Sequence, residues 1–141
     1  MASNPVTPYA SQLHGVLRIV AGVLFLAHGL VKLFGFPAGA PPGQQELLTL
    51  FGAAGVIELI TGALIALGLF TRPAAFLAAG EMAVAYWMVH APQSFYPVAN
   101  GGDAAILYCF IFLYFVAAGA GAFSLERLYQ PAGQPAIGRP E

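Results

Sequence analysis

Charge is what this chain has least of. Five Lys/Arg and six Asp/Glu are spread over 141 residues, 8% of the total, where soluble globular domains carry roughly 25%. The shortage argues against a water-soluble fold, because so short a chain cannot hide a 59% hydrophobic composition from water. A net charge of −1 excludes a polybasic binder of nucleic acid or of membrane surfaces. Cysteine is nearly absent too. With Cys109 alone there is no intrachain disulfide and no CxxC dithiol chemistry, and Cys109 reads as a small apolar helix residue. The first twelve residues hold no Lys or Arg, so the basic n-region of a cleaved signal peptide is missing. Nucleotide, flavin and zinc motifs are missing as well. The "GGD" and "GAG" triplets are helix-boundary and packing glycines, with no Gly-rich phosphate loop following a strand, and no metal-ligand pattern occurs.

What is present is long apolar runs. A helix crosses the hydrocarbon with about 20 predominantly apolar residues, and four segments qualify: roughly 13–35, 47–70, 73–91 and 103–123. The stretch "GFPAGAPPGQQE" separates the first two, "TRP" alone separates the second and third, and "APQSFYPVANGG" precedes the fourth. So tight a turn at 71–73 predicts an antiparallel helical hairpin. The runs are unbroken rather than alternating, which disfavours a barrel. Gly15, Gly22 and Gly29 recur every seven residues, and Gly52, Gly55, Gly62 and the "AAGAGA" run at 117–122 add further small residues for close helix packing in lipid. The expected fold is all-α: an integral membrane antiparallel four-helix bundle over 13–128, after an N-terminal cytoplasmic segment at 1–12 and before a disordered tail at 129–141.

Orientation follows the basic residues. Arg18, Arg72, Arg127 and Arg139 fall at one side; Lys32 joins Glu46 and Asp103 at the other. Both termini are expected in the cytoplasm, with the protein multi-pass in the cell membrane.

The first span, "LRIVAGVLFLAHGLVKLFGF", nonetheless carries three potential cations: Arg18, His28 and Lys32. At 100° per residue they share an arc of about 80°. A cation facing lipid at depth costs at least ~2.5–3.5 kcal/mol, so that arc is expected to face the bundle or a polar cavity. Acids stand opposite: Glu58 mid-way along the second span and Glu81 mid-way along the third. Facing Arg18 or His28, either carboxylate can form half of a hydrogen-bonded pair. Arg18 and Lys32, near the two boundaries, can also snorkel. Tyr108, deeper in the fourth span, is a candidate donor to a carbonyl ligand, and His90 and Asp103 lie at helix ends. Glu81 and His90, nine positions apart, project from opposite sides of one helix.

These residues resemble the DoxX family of small four-helix membrane proteins over 17–128. Arg18, Gly22, Phe25, His28, Gly29, Lys32, Phe34 and Gly35 follow its first-helix pattern; Glu58, Gly62, Leu64 and the run Leu67–Ala75 follow its "E…G.L..LGLFTR.AA" pattern. "NGGDAAILY" is similar to its start of the fourth helix, with Asp103 for the usual Glu. "GAGAFSLERL" is similar to its "GPG.FSLD" ending, with Ala120 for Pro and Glu126 for Asp. The family is named from a membrane component associated with thiosulfate:quinone oxidoreductase, and relatives are linked to redox homeostasis and oxidative stress. No residue here is diagnostic of thiosulfate chemistry.

The leading expectation is a membrane subunit of a redox system whose interior, from Arg18, His28, Lys32, Glu58 and Glu81, holds a quinone-like headgroup or relays protons. Partners are then the bilayer, a soluble or membrane redox enzyme, and further copies of the chain, with no nucleic acid. The competing readings are a small transporter or proton channel and a non-catalytic anchor for soluble redox enzymes. A bis-histidine haem on His28 and His90 is disfavoured, two interfacial histidines being common by chance.

Overall fold

A computed structural model describes residues 6–129. The proposed tail at 129–141 lies, beyond its first residue, outside the described residues. After a 3-10 turn at Thr7–Tyr9 come α1 (Ala10–Phe34), α2 (Leu50–Leu67), α3 (Thr71–Ala85), the single turn α4 (Pro97–Asn100), α5 (Asp103–Ala118) and the single turn α6 (Glu126–Tyr129). No strand occurs among the described residues. Two helices are long and apolar enough to cross a membrane, Thr7–Phe34 and Leu50–Leu67; α5 is apolar but shorter. Helix α3 runs directly into a π-helical turn at Tyr86–His90.

The helix ends follow local chemistry. Thr49 starts α2 by accepting from the Gly52 amide at 3.1 Å. Gly68 ends it in the left-handed region, letting Leu69 N–H reach back to the Leu64 carbonyl at 2.9 Å. Pro73 lies in the first turn of α3, where its missing N–H costs nothing.

Helices α1 and α2 pack most closely, antiparallel and backbone to backbone. A Cβ at Gly62 would lie 2.6 Å from Leu26 N and 2.9 Å from the Gly22 carbonyl, and one at Gly22 would lie 2.8 Å from Ala66 Cα. Those atoms belong to helix backbones, which cannot step aside as a side chain can. Gly62→Ala is therefore expected to destabilise the fold by about 1–3 kcal/mol. Gly80→Ala meets nothing within 4 Å and is expected to be neutral or stabilising by up to about 1 kcal/mol. Thermal denaturation of the purified variants compares the two.

The second pairing sets an alanine face of α3 (Ala74, Ala75, Ala78, Ala79) against Phe112 and Phe115 of α5, with Phe25 and Ile65 closing the core. The outside is the reverse of a water-soluble protein's. Leu13, Leu24, Phe76 and Phe110 are exposed, while Arg18, Glu58, Thr61 and Asn100 are buried.

One expected element is shorter. The "AAGAGA" run does not extend the last helix to residue 123, because α5 stops at Ala118. Gly119, Gly121 and Phe123 all take positive φ, turning the 119–123 backbone into a loop, which still packs closely on α1: a Cβ at Gly15 would lie 2.5 Å from the Ala122 carbonyl oxygen.

Candidate functional site

The polar residues divide between two ends of the molecule. At the first end, Arg18 is fully buried and spends its guanidinium on five backbone carbonyls. Nε donates to Ala120 at 2.7 Å. One terminal nitrogen donates to Ile65 at 2.6 Å and Ala66 at 2.7 Å. The other donates to Ala122 at 3.1 Å and Phe123 at 2.8 Å. Its electrostatic partner is Glu126, so Arg18 neither snorkels nor pairs with Glu58 or Glu81. Glu126 accepts from the Thr71 amide at 2.8 Å, capping α3. Arg72 donates to the Val116 and Ala117 carbonyls at 2.7 and 2.8 Å, closing α5. The Leu125 and Glu126 amides tie back to the Leu67 and Gly68 carbonyls at 3.0 Å each. This end is a fastening of loop to helix termini, with Arg18, Arg72 and Glu126 all engaged.

Two further residues here escaped the sequence reading. His14 joins Tyr114 Oη at 3.0 Å and the Gly119 carbonyl at 2.9 Å. Its four-residue spacing from Arg18 puts both on one face of α1, a signal that was there to use. Thr71 is buried with its hydroxyl unbonded.

The second end lies about 21 Å along α1, at a helical rise of 1.5 Å per residue. There Lys32 Nζ donates to Glu58 Oε1 at 2.6 Å, the two side chains 13% and 3% exposed. Lys32 thus turns inward onto an acid instead of reaching for the boundary. The other Glu58 oxygen is buried without a partner. His28 and Tyr108 lie within electrostatic range of Glu58, and their rings meet edge-on at 6.2 Å. His28, Lys32, Glu58, His90 and Tyr108 all line one cavity of about 350 Å³, with Phe25 and Met82 among its apolar wall. His28 is exposed at its edge. His90 is held by its Nδ1 contact to the Asn100 carbonyl at 3.0 Å. The buried Asn100 in turn accepts from Gly102 N–H at 2.7 Å and donates to Ser94 at 2.8 Å. Asn100 was not anticipated; an Asn directly before a Gly pair is its only trace in the sequence.

Glu81 stands apart from this cavity. It lies within electrostatic range of Glu58 and Lys32 but lines a separate space of about 400 Å³ between α2 and α3. Asp103 is exposed in the first turn of α5, where a carboxylate complements the helix dipole. No group of three or more His, Cys, Asp or Glu residues able to hold a metal occurs among the described residues. The proposed five-residue site is therefore three groups: Arg18 in the fastening, His28 with Lys32 and Glu58 around one cavity, and Glu81 beside another.

An apolar exterior around buried ionisable residues, with two helices of spanning length, defines a helical membrane protein. The chain belongs to the DoxX family, whose model matches residues 14–91. It is 41% identical over 130 residues to an uncharacterized protein of Haemophilus influenzae, covering 89% of this chain and 97% of that one. It is 31% identical over 129 residues to an uncharacterized membrane protein of Mycobacterium tuberculosis, covering 79% of this chain and 77% of the other. No solved structure matches.

Proposed function

We propose that this is a four-span protein of the cell membrane whose cavity at His28, Lys32, Glu58 and Tyr108 holds a quinone-type headgroup within a redox system. The spans would be α1, α2, α3 with its π-helical turn, and α5. Both termini then lie in the cytoplasm, beside Arg18, Arg72 and Arg127. Lys32, the one basic residue at the opposite end, is paired with Glu58, which removes its vote against this orientation.

The observation that carries the ligand reading is the makeup of the cavity. It is walled largely by hydrocarbon, with a few polar groups from α1, α2, the π-helical turn and α5 lining it, the usual form of a small-molecule site. Tyr108 and His28 supply donors for quinone carbonyls, and Lys32 and Glu58 supply a route for protons. Reduction to the quinol takes two electrons and two protons. The electrons would come from a partner oxidoreductase.

A short-chain quinone titrated against the purified protein tests this, read by quenching of Trp87, the single tryptophan. Saturable quenching is expected, and Tyr108→Phe, removing one donor, is expected to weaken it about tenfold. Quenching that follows detergent partition alone, equal in wild type and variant, refutes the reading.

One observation favours a second function. Lys32 lines both cavities, with Glu58 on one and Glu81 on the other, an order of groups that a proton path requires. Proteoliposome flux lost in Glu58→Gln, without quinone binding, would select it.

A further inference from the structure

The space between α2 and α3 plays no part in the quinone reading and stands or falls separately from it. Its wall includes Leu50, Ile57, Phe76, Leu77 and Met88, and the ionisable residues lining it are Lys32 and Glu81. Phe76, Leu77 and Met88 are also exposed on the outer surface, so the space opens sideways, toward where acyl chains would lie. Both carboxyl oxygens of Glu81 are buried, and neither accepts a hydrogen bond. Lys32 is within electrostatic range but gives its ammonium to Glu58 at 2.6 Å. A buried carboxyl with no donor is costly and uncommon. Here it adjoins a cavity of ligand size.

We propose that this cavity binds a lipophilic organic cation, its charged centre meeting Glu81 and its hydrocarbon filling the apolar wall. The unmatched group fixes the sign. Lys32 and His28 both lie within electrostatic range of Glu58, and Lys32, the base that lines this cavity, is hydrogen-bonded to Glu58, so Glu81 is the acid left without a donor. A cation gives it a partner, and an anion would meet only a carboxyl group. Lateral opening fixes the rest of the chemistry, because a ligand arriving from the bilayer must itself be soluble in hydrocarbon.

The test is equilibrium dialysis of the detergent-purified full chain with radiolabelled tetraphenylphosphonium, against tetraphenylborate, an anion of the same shape. The phosphonium is expected to bind saturably, and the borate at least about tenfold more weakly. Glu81→Gln should lose about tenfold in phosphonium affinity. Gly80→Leu is a second variant that leaves Glu81 in place. Gly80 lines the cavity and a Cβ there meets nothing within 4 Å, so a leucine starts without a backbone clash and its branch takes up cavity space and should displace the ligand. Equal binding of the two ions by the wild-type chain overturns the proposal. So does undiminished phosphonium binding in a folded Glu81→Gln chain. Should Glu81→Gln fail to fold, Gly80→Leu decides alone: retained phosphonium affinity refutes the site, and its loss with an unchanged melting temperature supports it.

Discussion

Arg18→Met is expected to lower the melting temperature of the purified protein by at least about 10 °C, from a loss of about 3 kcal/mol or more. The Ile65 carbonyl keeps the Gly68 amide as a donor at 3.1 Å. The Ala66, Ala120, Ala122 and Phe123 carbonyls lose the guanidinium that reaches each of them. Each buried acceptor left without a donor costs about 1–3 kcal/mol. Two elements come loose together, the C-terminal turn of α2 and the 119–123 loop. Met fills much of the volume and none of the donor sites, so packing alone cannot mask the effect. Arg18→Lys separates charge from geometry. An ammonium has three donors and no planar fork, so it cannot serve five carbonyls, and an intermediate melting temperature is expected. If Arg18→Lys melts like the wild type, charge near Glu126 matters and the carbonyl set does not. Quinone binding in whatever fraction stays folded should be unchanged, because the cavity lies at the other end of α1.

Much of this fold was legible because hydrocarbon imposes simple rules. Long apolar runs, a short turn and recurrent glycines predicted helices, a hairpin and close packing through small residues; the turn falls at 68–70 rather than 71–73, and the close approach falls between α1 and α2, where Gly22 and Gly62 meet backbone. The Lys32–Glu58 contact was legible only in outline. Angular position placed Lys32 on an inward arc and put Glu58 on the next helix, but helical periodicity carries no register between helices. That missing register is why Arg18, on the same arc, was linked to the wrong acid. Its partner Glu126 lies in a turn far along the chain, and its real ligands are carbonyls, which no side-chain pattern reveals. The "AAGAGA" run packs closely on Gly15 as its small residues suggested, but it misled on helix length for a related reason. Gly and Ala serve equally as packing residues inside a helix and as loop residues in the left-handed region, and composition cannot separate the two uses.

The two polar ends can be told apart by what is left over. At the Arg18 end Arg18 and Arg72 are matched to carbonyls and Glu126 to the Thr71 amide, Arg127 is exposed, and the buried group left over is the uncharged Thr71 hydroxyl. At the Lys32 end one Glu58 oxygen and both Glu81 oxygens have no donor, and both cavities adjoin them. Saturated groups hold a structure together; unsaturated ones beside open space are free to hold something else.

That distinction predicts a separation of stability from binding at Lys32 and Glu58. Removing one partner leaves the other buried and unpaired, which costs about 3–5 kcal/mol. Lys32→Met and Glu58→Leu are each expected to lose that much, Glu58→Leu stranding an ammonium that is 13% exposed. The double variant Lys32→Met/Glu58→Leu replaces the pair with apolar groups of similar size. It should recover to within about 1 kcal/mol of the wild type, because the desolvation cost of two buried charges disappears along with their attraction. A double-mutant cycle on thermal denaturation measures the coupling directly. Binding should not recover. The repaired chain keeps its fold, its cavity and the Tyr108 and His28 donors but has lost the two charged groups beside them, so saturable quenching of Trp87 should be weaker than in the wild type. A double variant as stable as the wild type and equally able to bind quinone would make the pair a packing device and would end the ligand reading. One that remains as unstable as the single variants would show that the ammonium and carboxylate hold the helices in a way apolar contact cannot replace.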